Sequence, residues 1–286
     1  MKSIVYILFI VLLFYSCEKI VNMDLPERNS RLVIDGLITN EDTTYYVKLT
    51  KTTKYNYKYQ ISNIDFETGA LVIISDDYGN IDTLGEISSG IYCTHKTKII
   101  GEIGRSYKVE IYTQAGKHYQ SNMEKMPDVP LFDSIYYSRD QNVRDPENST
   151  NYLFDVYVDW QDPSNVKNYY LRSMSYYWSN QWHDNVQWNW VFNDKFFDGL
   201  YMKKDIINES YGGYNWWLRI SQYSLTKEAY DFWYLVHQQT MEAGDDLANT
   251  TVPLIGNVYN AANPDDYALG YFQVSAKTTA QIFVGK

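Results

Sequence analysis

The sequence predicts a mainly β chain: a β-sandwich over residues 31–125, then a second β-rich domain over 131–286 that carries one amphipathic helix. Three observations predict it. Apolar and polar residues alternate in one short run after another, which is the period of a half-buried strand. Tyr (29 residues) and Trp (8 residues) favour strands, and both are abundant. The 3.6-residue period of a helix occurs once, late in the chain.

In the first half, Leu32, Ile34 and Ile38 fall on one face of a strand. Tyr45, Val47 and Leu49 alternate with Tyr46, Lys48 and Thr50 in a second. Lys51–Phe66 has no apolar period and reads as a long loop. Ala70, Val72 and Ile74 mark a third strand, followed by a hairpin turn over 75–80 in which Gly79 can take positive φ. Asp76 and Asp77 in that turn do not extend into a calcium loop ending in Glu, so the segment reads as a plain turn. Cys93 has a strand-like setting and reads as a small buried thiol. Tyr107, Val109 and Ile111 alternate with Lys108, Glu110 and Tyr112, and Gly116 turns the chain into Tyr119. Six or seven short strands at this spacing predict a sandwich that closes near Met123.

Residues 126–130 contain Pro127 and Pro130 and read as an extended linker, so the two halves are expected to be separate folding units. Beyond it, Phe132–Tyr137 is strand-like and Arg139–Asn151 reads as a polar loop. Phe154, Val156 and Val158 alternate with acids and lead to Trp160, and Asp162 and Pro163 end that strand. Tyr170, Arg172, Met174, Tyr176 and Trp178 share one face of the next strand. Val186, Trp188, Trp190 and Phe192 share one face of another, with 179–185 as the hairpin loop between them. Trp216–Ile220 is a further strand. Ala229, Phe232, Trp233 and Val236 then show helical spacing, giving a helix over 226–243 with Thr226 as cap, Glu228 in the first turn and Gly244 at its end. Asn249–Asp266 is turn-rich, and Leu269–Ser275 and Ala280–Val284 close the chain as strands.

The N-terminus predicts where the protein works. Lys2 precedes an apolar run over 4–15, too short to span a bilayer but of signal-peptide length, and Ser16 stands before Cys17. This end resembles the lipobox of bacterial lipoproteins, with Phe14 and Tyr15 bulkier than usual there; an ordinary signal peptide or a buried N-terminal helix is the alternative. The resemblance implies a signal peptide over 1–16, lipid on Cys17 and a tether over 17–30. Removal of 1–16 leaves 24 of the 25 Lys and Arg against 35 Asp and Glu, so the net charge of −10 becomes −11. Such a chain lacks the basic footprint that nucleic acid needs. With Cys17 lipidated, Cys93 has no intramolecular disulfide partner.

No zinc, phosphate-loop or serine-hydrolase pattern is present around His95, His118, His183 or His237, so no catalytic residue, metal or cofactor is predicted. The aromatic residues give the remaining signal. Trp182, beside His183 and Asp184, sits in an expected loop, where a binding role suits it better than a core role. Tyr55, Tyr57 and Tyr59, interleaved with Lys54 and Lys58, offer a second candidate surface. Trp188 and Trp190 form a third, although their alternation also fits a core face.

The layout as a whole resembles a family of Bacteroidetes outer-membrane lipoproteins known as domain of unknown function 4249. The matching stretches include 17–20, 32–36, 47–49, 69–77, 101–111, 119–121, 126–133, Asp162 and Pro163, Tyr169 and Tyr170, 224–230 and 270–272. The resemblance implies that the first half is an immunoglobulin-like sandwich of the carboxypeptidase-regulatory-like kind. It also implies a partner, a TonB-dependent outer-membrane transporter, and it carries over no catalytic residue. The functional expectation is a non-enzymatic, lipid-anchored outer-membrane protein that acts as a binding subunit of such a transporter. A structural or adhesive surface lipoprotein is the alternative, and a hydrolase of uncharacterised type comes third.

Overall fold

A computed structural model describes residues 30–53, 64–96, 98–144, 152–184, 189–212, 216–242 and 252–285. The leader, Cys17, the tether up to Asn29, and Tyr55, Tyr57, Tyr59 and Trp188 lie outside the described residues.

Two sheets form the first sandwich. One joins β1 (Leu32–Ile38), β2 (Tyr46–Lys51), β3 (Asp65–Phe66), β6 (Gly85–Ser88), β7 (Ile91–Cys93) and β19 (Leu269–Val274), with β19 at one edge beside β1. The other joins β4 (Leu71–Asp76), β5 (Ile81–Thr83), β8 (Ser106–Tyr112), β9 (His118–Ser121), β10 (Glu124–Lys125) and β18 (Val258–Asn260). The predicted alternation holds. Ile34, Leu49, Val72, Ile74, Val109 and Ile111 point between the sheets and are buried, while their strand neighbours are less so. Gly79 takes φ 87° in the turn after β4, where Asp76 accepts from the backbone N–H groups of Tyr78 and Asn80. Tyr92, rather than Cys93, enters the core from β7; Cys93 is only half-buried, because the strand's other face is turned outward.

The second sandwich places the three-stranded sheet β11 (Phe132–Arg144), β12 (Tyr152–Gln161) and β16 (Tyr201–Gly212) on a sheet formed by β13 (Tyr169–Trp178), β14 (Gln181–Asp184), β15 (Trp190–Asn193), β17 (Trp216–Leu225) and β20 (Lys277–Val284). Val156, Val158 and Trp160 meet Tyr170, Met174, Leu218 and Ile220 between the two. The helix α1 (Lys227–Glu242) lies on the outer face of the second sheet, where Ala229 and Phe232 pack on Leu171, Leu225 and Tyr271. Thr226 caps it, its Oγ1 accepting from the Ala229 N–H at 3.2 Å.

Three elements differ from the sequence reading. The expected polar loop after Arg139 is strand up to Arg144, because pairing with β12 satisfies its backbone across a register shift between Asp140 and Arg144. β16 carries no clean alternation: its register against β12 also shifts, and Lys204 takes φ 59°. The hairpin after β13 needs only Ser179 and Asn180, both at positive φ, so Gln181–Asp184 is strand rather than loop.

The division at 126–130 needs correction. The chain leaves the first sandwich there, but β18 and β19 return to it. β19 runs parallel to β1 from Val33 opposite Leu269 to Ile38 opposite Val274, and β18 pairs with β9. Val258, Ala268, Phe272, Val274 and Ala276 thereby enter the first core. The approach is close. A Cβ on Gly270, whose φ is 79°, would stand 1.9 Å from the Ile34 carbonyl oxygen, and one on Gly36 would stand 3.0 Å from the Phe272 ring. Ser275 and Ala276, both fully buried, then carry the chain directly into β20 of the second sandwich. A fragment of residues 30–125 lacks this share of the core and bares the β1 edge, so it should aggregate or fail to melt cooperatively. A soluble fragment with a sharp melt by circular dichroism would show β18 and β19 to be dispensable.

Glu124 sits where the two sandwiches join, 8% exposed. Its carboxylate accepts from Thr226 Oγ1 at 2.9 Å and from Asn257 Nδ2 at 2.8 Å. Asn257 also donates to the Phe272 carbonyl and accepts from the Phe272 N–H. Burial pushes the Glu124 pKa up from 4.5 to about 7 against the pull of these hydrogen bonds. The folded state therefore holds a proton that the unfolded chain has lost. This contribution to stability is full below the unfolded value and disappears as pH rises through about 7, amounting to at most about 3 kcal/mol. The melting temperature should fall from about pH 5 to about pH 8 by more in the wild type than in Glu124→Gln, which has no proton to lose. Parallel melting curves for the two proteins across that range would show that Glu124 is not the titrating group.

Candidate functional site

The β13–β17–β20 sheet has two faces of different character. On its outer face α1 covers only the end that carries Leu171 and Leu225. The other end bears a row of aromatic side chains in register across four strands. Trp182 of β14 stands opposite Tyr177 of β13, Tyr177 opposite Trp217 of β17, and Trp217 opposite Phe283 of β20. Period-2 alternation puts all four on the outer face, since Leu218 and Ile220 beside Trp217 point into the core. Tyr177 is 37% exposed, Trp217 and Phe283 are each 42% exposed, and Trp182 is half-buried. The rings are in contact: Tyr177 and Trp182 meet edge to face, 5.4 Å apart at 61°, and Trp217 and Phe283 are tilted, 5.3 Å apart at 53°. The Arg219 guanidinium lies 3.8 Å from the Trp182 ring centroid. One row further in, Ser175 Oγ donates to Asp184 Oδ1 at 2.7 Å.

At the edge of the same sandwich, β15, β16 and α1 enclose a cleft of about 260 Å³. Trp160, Trp190, Phe192, Phe197, Met202 and His237 are among its lining residues, and Arg172 and Asp205 contribute a charged pair. Arg172 is 3% exposed. Its Nη1 donates to Asp205 Oδ2 at 2.9 Å, and its Nε and Nη2 donate to Gln222 Oε1 at 3.1 and 2.6 Å. Trp160 Nε1 donates to the same Asp205 oxygen at 2.9 Å. The guanidinium also lies 4.8 Å from the Phe192 ring centroid and 5.6 Å from that of Trp160. Burial pushes the Arg172 pKa below its ordinary value, and the charge and hydrogen bond of Asp205 oppose that shift.

A third cluster, Asp162, Asp194 and Asp198, brings three carboxylate oxygens within 4.8 Å of one another and has the oxygen chemistry of a hard cation site. Its oxygens already hold the backbone. Asp162 accepts from the Tyr170 hydroxyl at 2.8 Å and the Gly199 N–H at 3.0 Å, Asp194 from the Asn168 N–H and Asp198 from the Asn165 N–H. The cluster ties the turn at 164–168 to the turn at 194–199. Burial raises the Asp162 pKa, and the neighbouring carboxylates add to that.

The residues singled out from sequence separate in space. Trp182 belongs to the exposed row, two residues beyond the hairpin turn rather than at a loop tip. His183 points to the opposite face and stacks on Tyr176, with centroids 5.5 Å apart at 19°. Trp190 stands opposite Arg172 across β13 and β15 and lines the cleft. Tyr177, Trp217, Phe283 and Arg219 were not anticipated, because their sequence neighbours (Tyr176 and Trp178, Trp216 and Leu218, Ile282 and Val284) are aromatic or apolar too, so one strand alone does not mark them as a surface. Only the register assembles them. Arg172 did carry a signal: a lone cation on an otherwise apolar strand face needs a buried partner.

Among the described residues, then, the molecule is a mainly β protein of two interlocked sandwiches with an aromatic surface and a polar-based cleft. It belongs to the family described as Domain of unknown function (DUF4249), whose model matches residues 18–281. No curated protein matches the chain.

Asp205→Ala would leave the Arg172 charge buried with its principal partner gone. Loss of one member of such a pair costs about 3–5 kcal/mol. Denaturant unfolding should show a loss of that order, and Asp205→Asn, which keeps an acceptor, should lose less. A neutral outcome for Asp205→Ala would mean that Gln222 alone compensates the guanidinium.

Proposed function

We propose that the protein is a non-enzymatic binding subunit, held at the outer membrane by lipid on Cys17, that accompanies a TonB-dependent nutrient transporter. The observation that carries this reading is the exposed row Trp182, Tyr177, Trp217 and Phe283 on a sheet face that α1 leaves bare. Aromatic rings exposed in one contiguous patch lower solubility unless something covers them. Tyr, Trp, Phe and Arg are also the residues enriched at protein contacts, and Arg219 over Trp182 adds the cation. The patch lies on a rigid sheet, so it reaches a partner without an ordering cost. Lipid at Cys17 would hold it near the membrane surface in which a transporter sits.

The test is capture from detergent-solubilised outer membranes by tagged protein carrying its native leader. A TonB-dependent transporter should be recovered with the wild type. Recovery should fall about 30-fold or more with Trp217→Ala, since truncating a central interface Trp costs about 2 kcal/mol or more. The melting temperature should change little, because Trp217 lies outside both sandwich cores. Equal recovery by wild type and variant, or the absence of any transporter from the wild-type sample, would remove this reading and favour an adhesive or structural surface role.

A further inference from the structure

We infer that the cleft between β15, β16 and α1 is a small-molecule site for one ring of a neutral, polyhydroxylated ligand: a monosaccharide or one sugar unit of a glycan. The inference stands apart from the transporter reading, because the cleft and the aromatic row present different groups and the ligand can be tested on purified protein alone.

Four features of the cleft select this chemistry. The first is its polar base. Arg172 and Asp205 neutralise each other at 2.9 Å, so the base presents a donor and an acceptor side by side with little net charge. An anionic ligand would find the guanidinium already compensated, and a cationic one would find the carboxylate already compensated. Three of the five guanidinium N–H groups serve Asp205 and Gln222, which leaves two. Asp205 Oδ2 takes both the Arg172 and the Trp160 bonds, and Oδ1 takes neither. Adjacent hydroxyls, each both donor and acceptor, match such a pair.

The second feature is the wall. Trp160, Trp190, Phe192 and Phe197 surround the base with ring surface. A wholly apolar ligand would fill the space but strip water from the Arg172 and Asp205 groups without replacing it, at a cost of about 1–3 kcal/mol for each unsatisfied group. The ligand therefore needs an apolar face and a hydroxylated edge. The third feature is the angle between the walls. Trp160 and Phe197 stand at 80° to each other, and Phe192 and Phe197 at 48°. A flat heteroaromatic base needs a parallel-sided slot. Non-parallel rings suit a puckered ring that directs C–H bonds, positive at hydrogen, at several negative ring faces. The fourth is size: about 260 Å³ suits one six-membered ring with its substituents rather than an oligomer enclosed whole.

Full-length protein is titrated with glucose, galactose and N-acetylglucosamine, with glucuronate, choline, indole and adenine alongside. The readouts are tryptophan fluorescence, which Trp160 and Trp190 report from the cleft, and saturation-transfer NMR. At least one neutral sugar should bind saturably and more tightly than glucuronate, choline, indole or adenine. Trp190→Ala should weaken that sugar about tenfold, the loss of one ring contact. If Trp190→Ala proves unstable, Ile206→Trp decides. That position lines the cleft and is 48% exposed, so the larger ring narrows the opening without entering the core, and binding should again weaken about tenfold or more. Failure of all three sugars to saturate the wild type, tighter binding of a control compound, or sugar binding unchanged in the folded variants would each overturn the assignment.

Discussion

The pairing of β1 with β19 is the contact on which the rest of the arrangement depends. It joins residues 236 positions apart in sequence, in parallel, from Val33 to the end of β1 at Ile38. A parallel pair cannot be closed by a tight turn, so the chain between the two strands must be accommodated elsewhere. Here that chain builds the rest of the first sandwich, every strand of the second except β20, and the helix before it returns. The first sandwich is therefore complete only when β18 and β19, in the last tenth of the chain, have arrived. Gly36 and Gly270 show how closely the strands must approach, since a methyl group at either would meet Phe272 or the Ile34 carbonyl.

Because β19 passes into β20 through only Ser275 and Ala276, the first sandwich fixes where the second sheet begins. Tyr271 of β19 meets Phe232 of α1, with ring centroids 5.0 Å apart, so the helix is held to the first sandwich as well as to the second. Glu124, Thr226 and Asn257 complete this junction with hydrogen bonds from three separate segments. Among the described residues, the outer face of the second sheet is thus covered at the end near the junction and partly exposed at the far end. The aromatic row occupies that far end. Its exposure is a consequence of where the helix is anchored.

The cleft follows from a different constraint. Arg172 points inward from the middle of β13, where a charge is costly unless it is fully paired. Asp205 reaches it from β16 in the facing sheet, and Gln222 from β17 alongside. The pair thus ties the two sheets together near the edge where β15 and β16 separate. Polar atoms at the bottom of an aromatic opening are the result.

The sequence by itself determined the fold class, most strands of the first sandwich, the turn at Gly79, the helix with its Thr226 cap, and the family. These are local properties, set by alternation, helical spacing, and the φ preferences and side-chain hydrogen bonds of turn and cap residues. It also placed Trp182 among the candidates. The tertiary structure alone decided that β18 and β19 belong to the first sandwich, since a strand's own pattern says which face is apolar and nothing about which sheet receives it. It likewise decided the aromatic row. Tyr177, Trp217 and Phe283 are unremarkable along the chain, and they become one surface only through the registers of β13, β17 and β20. Arg172 and Asp205 are 33 residues apart on strands of opposite sheets, so their meeting depended on how the sheets stack, which no local pattern records.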